Sequence, residues 1–191
     1  MDNIASFSET MFLLLGGTGV GYSVQRHHVA QLPAITKPGK KRTYLVEDSI
    51  MGDAVKVLMR SYLEGKFLPT FDFRAVRHKG ARLVTAGGKA PGPEPLKICL
   101  VHIQAILDRK AVGEQLSPLD CHDILCHIAN SVLSGGIRRS AMISLFSFDD
   151  EEMVTCKYGA WWELNEQRGR ANNSAVLERD KITEKNLKTF G

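Results

Sequence analysis

The residues best suited to hold an anion lie in the stretch NSVLSGGIRRSAMIS, residues 130–144. A guanidinium is planar, permanently charged and forked, so Arg138 and Arg139 could grip a phosphate, pair with base edges or stack on a ring. Gly135 and Gly136 permit positive φ and close backbone approach, and Ile137 joins the two pairs. The segment enters an apolar strand, SAMISLFS, so one arginine is expected near the strand ends, where α/β folds bind ligands. A second glycine cluster, GGTGVG, fails as a dinucleotide fingerprint. Gly17, Gly19 and Gly21 give G-x-G-x-G, a helical pattern precedes them, and no P-loop lysine follows. It reads as a tight helix-to-strand turn with amides open to a ligand.

Other candidates carry plainer readings beside the chemical one. His122 and Cys126 are four apart, and Cys99 and His102 three apart, so each pair shares a helix face. Together they could form a tetrahedral zinc site. Neither pair has zinc-finger spacing, and Cys121 and Cys126 fit an apolar stripe with Ile124, Leu125, Ile128 and Val132, the usual place of a buried thiol. Trp161, Trp162 and Tyr158 could stack on a base, but are expected to anchor a helix on its neighbour. The acidic run at 149–152 could hold a metal, or simply open a helix.

The elements that must position these groups follow from periodicity. Ile4, Phe7, Met11 and Leu14 mark an amphipathic helix, with Asp2 or Ser6 as cap. GVGYSVQ alternates as a strand. Residues 36–44 read as a basic connector, its charges solvated. Helices are expected at 48–64, closing at Gly65, over PLKICLVHIQAILDRK, and over SPLDCHDILCHIANSVL, where Ser117, Pro118 and Asp120 form a strong start. Between the first two lies a long loop rich in Gly, Pro, Lys and Arg. A short acid-capped helix at 149–157 and a strand at NNSAVLE complete an α/β arrangement of parallel strands, of which three are clear.

The chain has 191 residues, 43% hydrophobic and 24% charged, the composition of one globular domain. A net charge of +4 favours anionic ligands such as nucleotides but is too small to argue for DNA or RNA. The run MFLLLGG is far short of the roughly 20 residues of a membrane span. Four cysteines without a secretory signal read as reduced thiols, and the expected location is cytoplasmic.

Read together, FSETMFLLLGGTGVGYSVQ, KGARLVTAGGKAPGPEPL, SPLDCHDILCHIANSVLSGGIRRSAMISL and WWELNEQRGRANNSAVL resemble the catalytic subunit of ribonucleotide reductase, most closely its adenosylcobalamin-dependent, class II branch. The resemblance implies a partial ten-stranded α/β barrel, residues 1–191 forming one incomplete domain from its first half. It implies that SGGIRRS relays the identity of a deoxynucleoside triphosphate effector to the substrate base. Arg138 would reach the base, with Gly135, Gly136, Ile137 and Arg139 shaping the loop. Thr18 and Gly19 would lie along the substrate, and Arg77, Lys79, Gly80 and Arg82 near the effector phosphates. Adenosylcobalamin is implied as cofactor, with its binding residues outside this sequence.

The departures matter equally. The family's radical cysteine lies in an Asn-Pro-Cys segment, and none occurs here. None of the four cysteines matches a catalytic one. The helix at DSIMGDAV is shortened where relatives carry a tryptophan. The expectation is therefore a piece that is inactive alone and assembles with the remainder of a split or truncated reductase. A homodimer is a further possible assembly, and a non-catalytic nucleotide-binding module and a small helical zinc protein stand as alternatives.

Overall fold

A computed structural model describes residues 1–48, 51–82, 89–133 and 141–183. Five strands form two wholly parallel sheets among these residues. In the first, β1 (Gly19–Ser23), β4 (Ala141–Ser147) and β5 (Ala171–Val176) lie in the order β1-β4-β5. Gly19 stands opposite Ala141, and Met142 opposite Ala171. The second pairs β2 (Gly39–Glu47) with β3 (Phe67–Ala75).

Helix α1 (Ala5–Leu15) buries the expected stripe of Ile4, Phe7, Met11 and Leu14. Neither Asp2 nor Ser6 caps it; the Asn3 carboxamide accepts from the Ala5 N–H at 2.9 Å. Helix α5 (Pro118–Leu133) begins with a reciprocal capping box. The Ser117 N–H donates to Asp120 Oδ2 at 2.8 Å, and the Asp120 N–H donates to Ser117 Oγ at 3.1 Å. This helix is central: it packs on α1, on α4 (Glu94–Asp108) and on the segment 166–170. Burial of Leu107, Ile124, Leu125 and Ile128 contributes about 1.5–3 kcal/mol each.

Three expectations change. The connector at 36–44 is mostly strand, because its lysines occupy the solvent side of β2 while Val46 enters the core. Strand β3 and the one-turn helix α2 (Arg26–Val29) were not expected, so the strands number five among the described residues rather than three. The helix expected from 48 is α3 (Met51–Leu63), with Gly65 at φ +63° after it; residues 49–50 lie outside the described set.

The acidic run behaves as a helix opening. Asp150 caps α6 (Glu151–Thr155) by accepting from the Met153 N–H at 3.2 Å, and Asp149 pairs with Arg26. Of the aromatic trio only Trp161 packs inward, against Gly169 and beneath Lys157. Trp162, on the short helix α7 (Trp161–Asn165), and Tyr158 remain exposed, because this helix is too short to present a buried face.

Candidate functional site

One cavity gathers residues from five parts of the chain. About 500 Å³ in volume, it lies between the carboxyl end of α1, the segments following β2 and β3, the amino end of α4 and the last turn of α5. Phe12, Leu13, Met51, Val76, Pro95 and Val132 form apolar walls; Thr18, Asp48, Arg77, Lys89 and Ser131 add polar groups. Apolar walls with a few convergent polar groups, at a volume within about 300–1,000 Å³, are the usual make-up of a small-molecule site.

Thr18 owes its place to a local turn. Gly17 adopts φ +81°, which ends α1 in a left-handed turn. Its N–H donates to Leu14 O at 2.9 Å, and the Thr18 hydroxyl donates to Leu13 O at 2.8 Å. Thr18 is thereby fixed at the cavity rim, with hydroxyl lone pairs still able to accept. Gly19 follows at the start of β1. A Cβ built on it would meet only Ala141 O, at 3.8 Å, so packing among the described residues does not demand glycine there.

Arg77 is held from the opposite side. Its backbone N–H donates to Asp48 Oδ1 at 3.1 Å, and its Nε donates to Asp48 Oδ2. This tie leaves Nη1 and Nη2 without a partner among the described residues and fixes a cation at the apolar wall. Lys79 and Gly80 belong to a turn against the strap that opens α4. The Gly80 N–H donates to Ala90 O at 2.9 Å, and Gly92, at φ +80°, is so close to Lys79 that a Cβ would meet its nitrogen at 3.0 Å. Arg82 bridges Lys89 in antiparallel fashion. Of the sequence-predicted residues, then, Thr18 and Arg77 line the cavity, whereas Lys79, Gly80 and Arg82 shape the strap beside it.

Gly135, Gly136, Ile137, Arg138 and Arg139 lie outside the described residues. Their flanks are fixed: Ser131 and Val132 line the cavity, and Ala141 opens β4 opposite Gly19. The cavity thus sits by the amino ends of β1 and β4 and by the carboxyl ends of β2 and β3, and only the second sheet presents the ends at which α/β folds commonly bind ligands. Sequence reading missed Asp48 and Lys89 as cavity residues. The exposed Phe12 and Leu13, off the buried stripe of α1, were the available signal.

In the first half of α5, away from the turn that lines the cavity, a polar network ties the helix to the first sheet. Asp123 and Arg168 form a bidentate pair, Nε–Oδ1 and Nη2–Oδ2 both 2.7 Å, and Arg168 Nη1 also donates to Cys156 O at 2.8 Å. The buried His122 ring has Nδ1 2.9 Å from the Tyr22 hydroxyl and Nε2 3.6 Å from Cys126 Sγ. Burial depresses the His122 pKa to about 4 and pushes the Cys126 thiol up to about 12. The pair is therefore neutral imidazole and neutral thiol, without the thiolate that nucleophilic catalysis needs. Burial likewise raises Cys99 and Cys121 to about 12. His102 stacks on His127, ring centroids 4.5 Å apart. Among the described residues no three histidines, cysteines or carboxylates are arranged to hold a metal ion.

The fold is similar to part of a solved structure. A crystal structure of B-12 dependent (class II) ribonucleotide reductase matches with a TM-score of 0.79 at 23% identity, over 92% of this chain and 29% of that one. Sequence comparison leads to the same place. The adenosylcobalamin-dependent ribonucleoside-triphosphate reductase of Lacticaseibacillus paracasei is 40% identical over 106 residues, 56% of this chain and 14% of its own. That of Lactobacillus delbrueckii subsp. bulgaricus is 28% identical over 206 residues, 86% of this chain and 27% of its own. The chain is thus homologous to a portion of the adenosylcobalamin-dependent ribonucleotide reductases and spans between about 14% and 27% of these relatives' length. No family model matches it. Among the described residues no helix is long and apolar enough to cross a membrane.

Proposed function

We propose that this chain supplies the nucleotide-handling part of a ribonucleotide reductase, the enzyme that converts ribonucleotides to 2′-deoxyribonucleotides by radical chemistry. The strands of the first sheet, β1, β4 and β5, would be early strands of the ten-stranded α/β barrel, completed by other segments of the reductase. Thr18 and Gly19 would lie along the substrate, with the open space over Gly19 available to it. Arg77, with Lys79, Gly80 and Arg82 in the adjoining strap, would handle the phosphates of a deoxynucleoside triphosphate effector. Residues 135–139 would connect the two ligands, Arg138 reaching the substrate base.

The observation that carries this reading is the cavity whose walls hold Thr18, Arg77 and the end of α5. A fixed guanidinium on an apolar wall suits a ligand with a flat ring and an anionic tail.

Adenosylcobalamin, after which the relatives are named, finds no fitting residues among those described. The cavity has nucleotide rather than corrin dimensions, and His122, buried against β1, is already engaged by Tyr22 and Cys126. The cofactor and the radical cysteine would both be contributed from elsewhere. The test is to combine this chain with a polypeptide carrying the remaining segments of a class II reductase and to assay deoxynucleotide formation. Activity that requires both chains and falls with Arg77→Ala supports the reading. A well-folded pair that is inactive argues for a purely regulatory nucleotide-binding role.

A further inference from the structure

The basic stretch GKKR, read from sequence as a solvated connector, forms the free edge of a sheet too small to be complete. Strands β2 and β3 are nine residues each and pair only with one another among the described residues. Isolated two-stranded sheets are marginal in water, and parallel strands normally belong to larger sheets. Pro69 within β3 lacks an N–H, which confines that strand to an edge. The sheet can therefore grow only alongside β2, where regular pairing runs from Lys41 to Leu45 and Lys40 is the extra residue of a bulge.

Charge accompanies that edge. Lys37, Lys40, Lys41 and Arg42 are exposed, and Lys66 is brought beside them because the Gly39 N–H donates to Lys66 O at 2.8 Å. None of the five forms an ion pair among the described residues, whereas Arg26, Arg60, Arg74, Arg77, Lys110 and Arg168 all do. We propose that this edge receives an extended acidic polypeptide segment as a third strand: its backbone would pair with residues 41–45 and its carboxylates would meet the five cations.

A peptide suits the edge better than a nucleic acid. Unpaired strand N–H and C=O groups are matched by another peptide backbone. Stacking of bases needs open aromatic faces, and Phe67 is partly buried with the Arg42 guanidinium 5.9 Å over its ring. Edge lysines also blunt unwanted pairing, but a cationic edge repels apolar and basic strands while attracting an acidic one, which is a form of selectivity. The surface is separate from the nucleotide cavity, because Asp48 and Arg77 follow the carboxyl ends of these strands and the cations cluster at the amino ends.

The experiment titrates the full chain with a fluorescein-labelled peptide of about ten residues alternating Glu and Thr, a length that spans one strand. Anisotropy reports binding, and hydrogen exchange reports the backbone of residues 41–45. The expected result is saturable binding that slows exchange there about tenfold and weakens at least tenfold in a Lys41→Glu/Arg42→Glu variant of unchanged circular dichroism. The same peptide N-methylated at alternate amides should not bind. Equal binding of the N-methylated peptide would overturn strand addition in favour of charge alone. Tighter binding of an oligothymidine that slows the same amides would reassign the surface to nucleic acid. A charge-reversed variant that aggregates but keeps full peptide affinity would reduce the lysines to edge protection. None of these outcomes touches the nucleotide cavity, so failure here leaves that reading intact.

Discussion

Mild acid should loosen α5, the helix whose last turn lines the cavity, through His122. In the fold this imidazole is buried between α5 and β1, and burial lowers its pKa from 6.5 to about 4; Asp123 opposes the shift, and Lys157 and Arg168 add to it. The unfolded chain therefore binds the proton more readily than the folded one. The stabilisation is complete above pH 6.5 and is lost as pH falls toward about 4. The full gap corresponds to about 3 kcal/mol, of which about 2 kcal/mol would be gone at a pH near 5. Urea denaturation at pH near 7.5 and near 5 measures the loss directly. A His122→Gln variant, whose carboxamide can still meet the Tyr22 hydroxyl, removes the titrating group. The chain should lose about 2 kcal/mol more than the variant over that interval. Equal losses would show that His122 is already protonated, or solvated, in the folded state, and the neutral Tyr22–His122–Cys126 arrangement would be wrong.

Three further outcomes follow from single contacts. Asp123→Asn leaves the nearly buried Arg168 without its carboxylate and should cost about 3–5 kcal/mol in urea denaturation; a loss below about 1 kcal/mol would mark the pair as solvated. Gly92→Ala forces a Cβ to within 3.0 Å of the Lys79 nitrogen at φ +80°, so limited proteolysis should accelerate in the strap at 79–82 and 89–92; an unchanged cleavage rate would refute the close approach. Ser117→Ala removes the hydroxyl that accepts from Asp120 and should lower stability by about 1 kcal/mol, seen as a lower melting temperature.

The parts of the fold legible in the sequence were those with local causes. The stripe on α1, the Ser117–Pro118–Asp120 start of α5 and the alternation in β4 and β5 each depend on residues a few positions apart. Strand β2 was hidden because its exposed side carries Lys40, Lys41 and Arg42, which read as a solvated run. Strand β3 did carry a signal, aromatics at Phe67, Phe71 and Phe73 with a period of two, but Pro69 interrupts it. The site divides the same way. Thr18 sits where the glycine turn announced a helix-to-strand corner. Arg77 acquires its place from Asp48, 29 residues away, and the clamp of Asp123 on Arg168 spans 45. Such pairs follow from the closing of the whole chain, and no local pattern encodes them.

Under the proposed function, Thr18 faces the substrate and Arg77, on the wall of the same cavity, meets the phosphates of a deoxynucleoside triphosphate effector. Calorimetric titration of the chain with each deoxynucleoside triphosphate, repeated with Arg77→Ala, tests that contact most directly. The account predicts saturable binding of at least one of them, weakened about tenfold or more by Arg77→Ala, as expected for loss of a charge-assisted contact of about 1.5–3 kcal/mol. Absence of saturable binding in a folded sample, or affinity indifferent to Arg77→Ala, would contradict it.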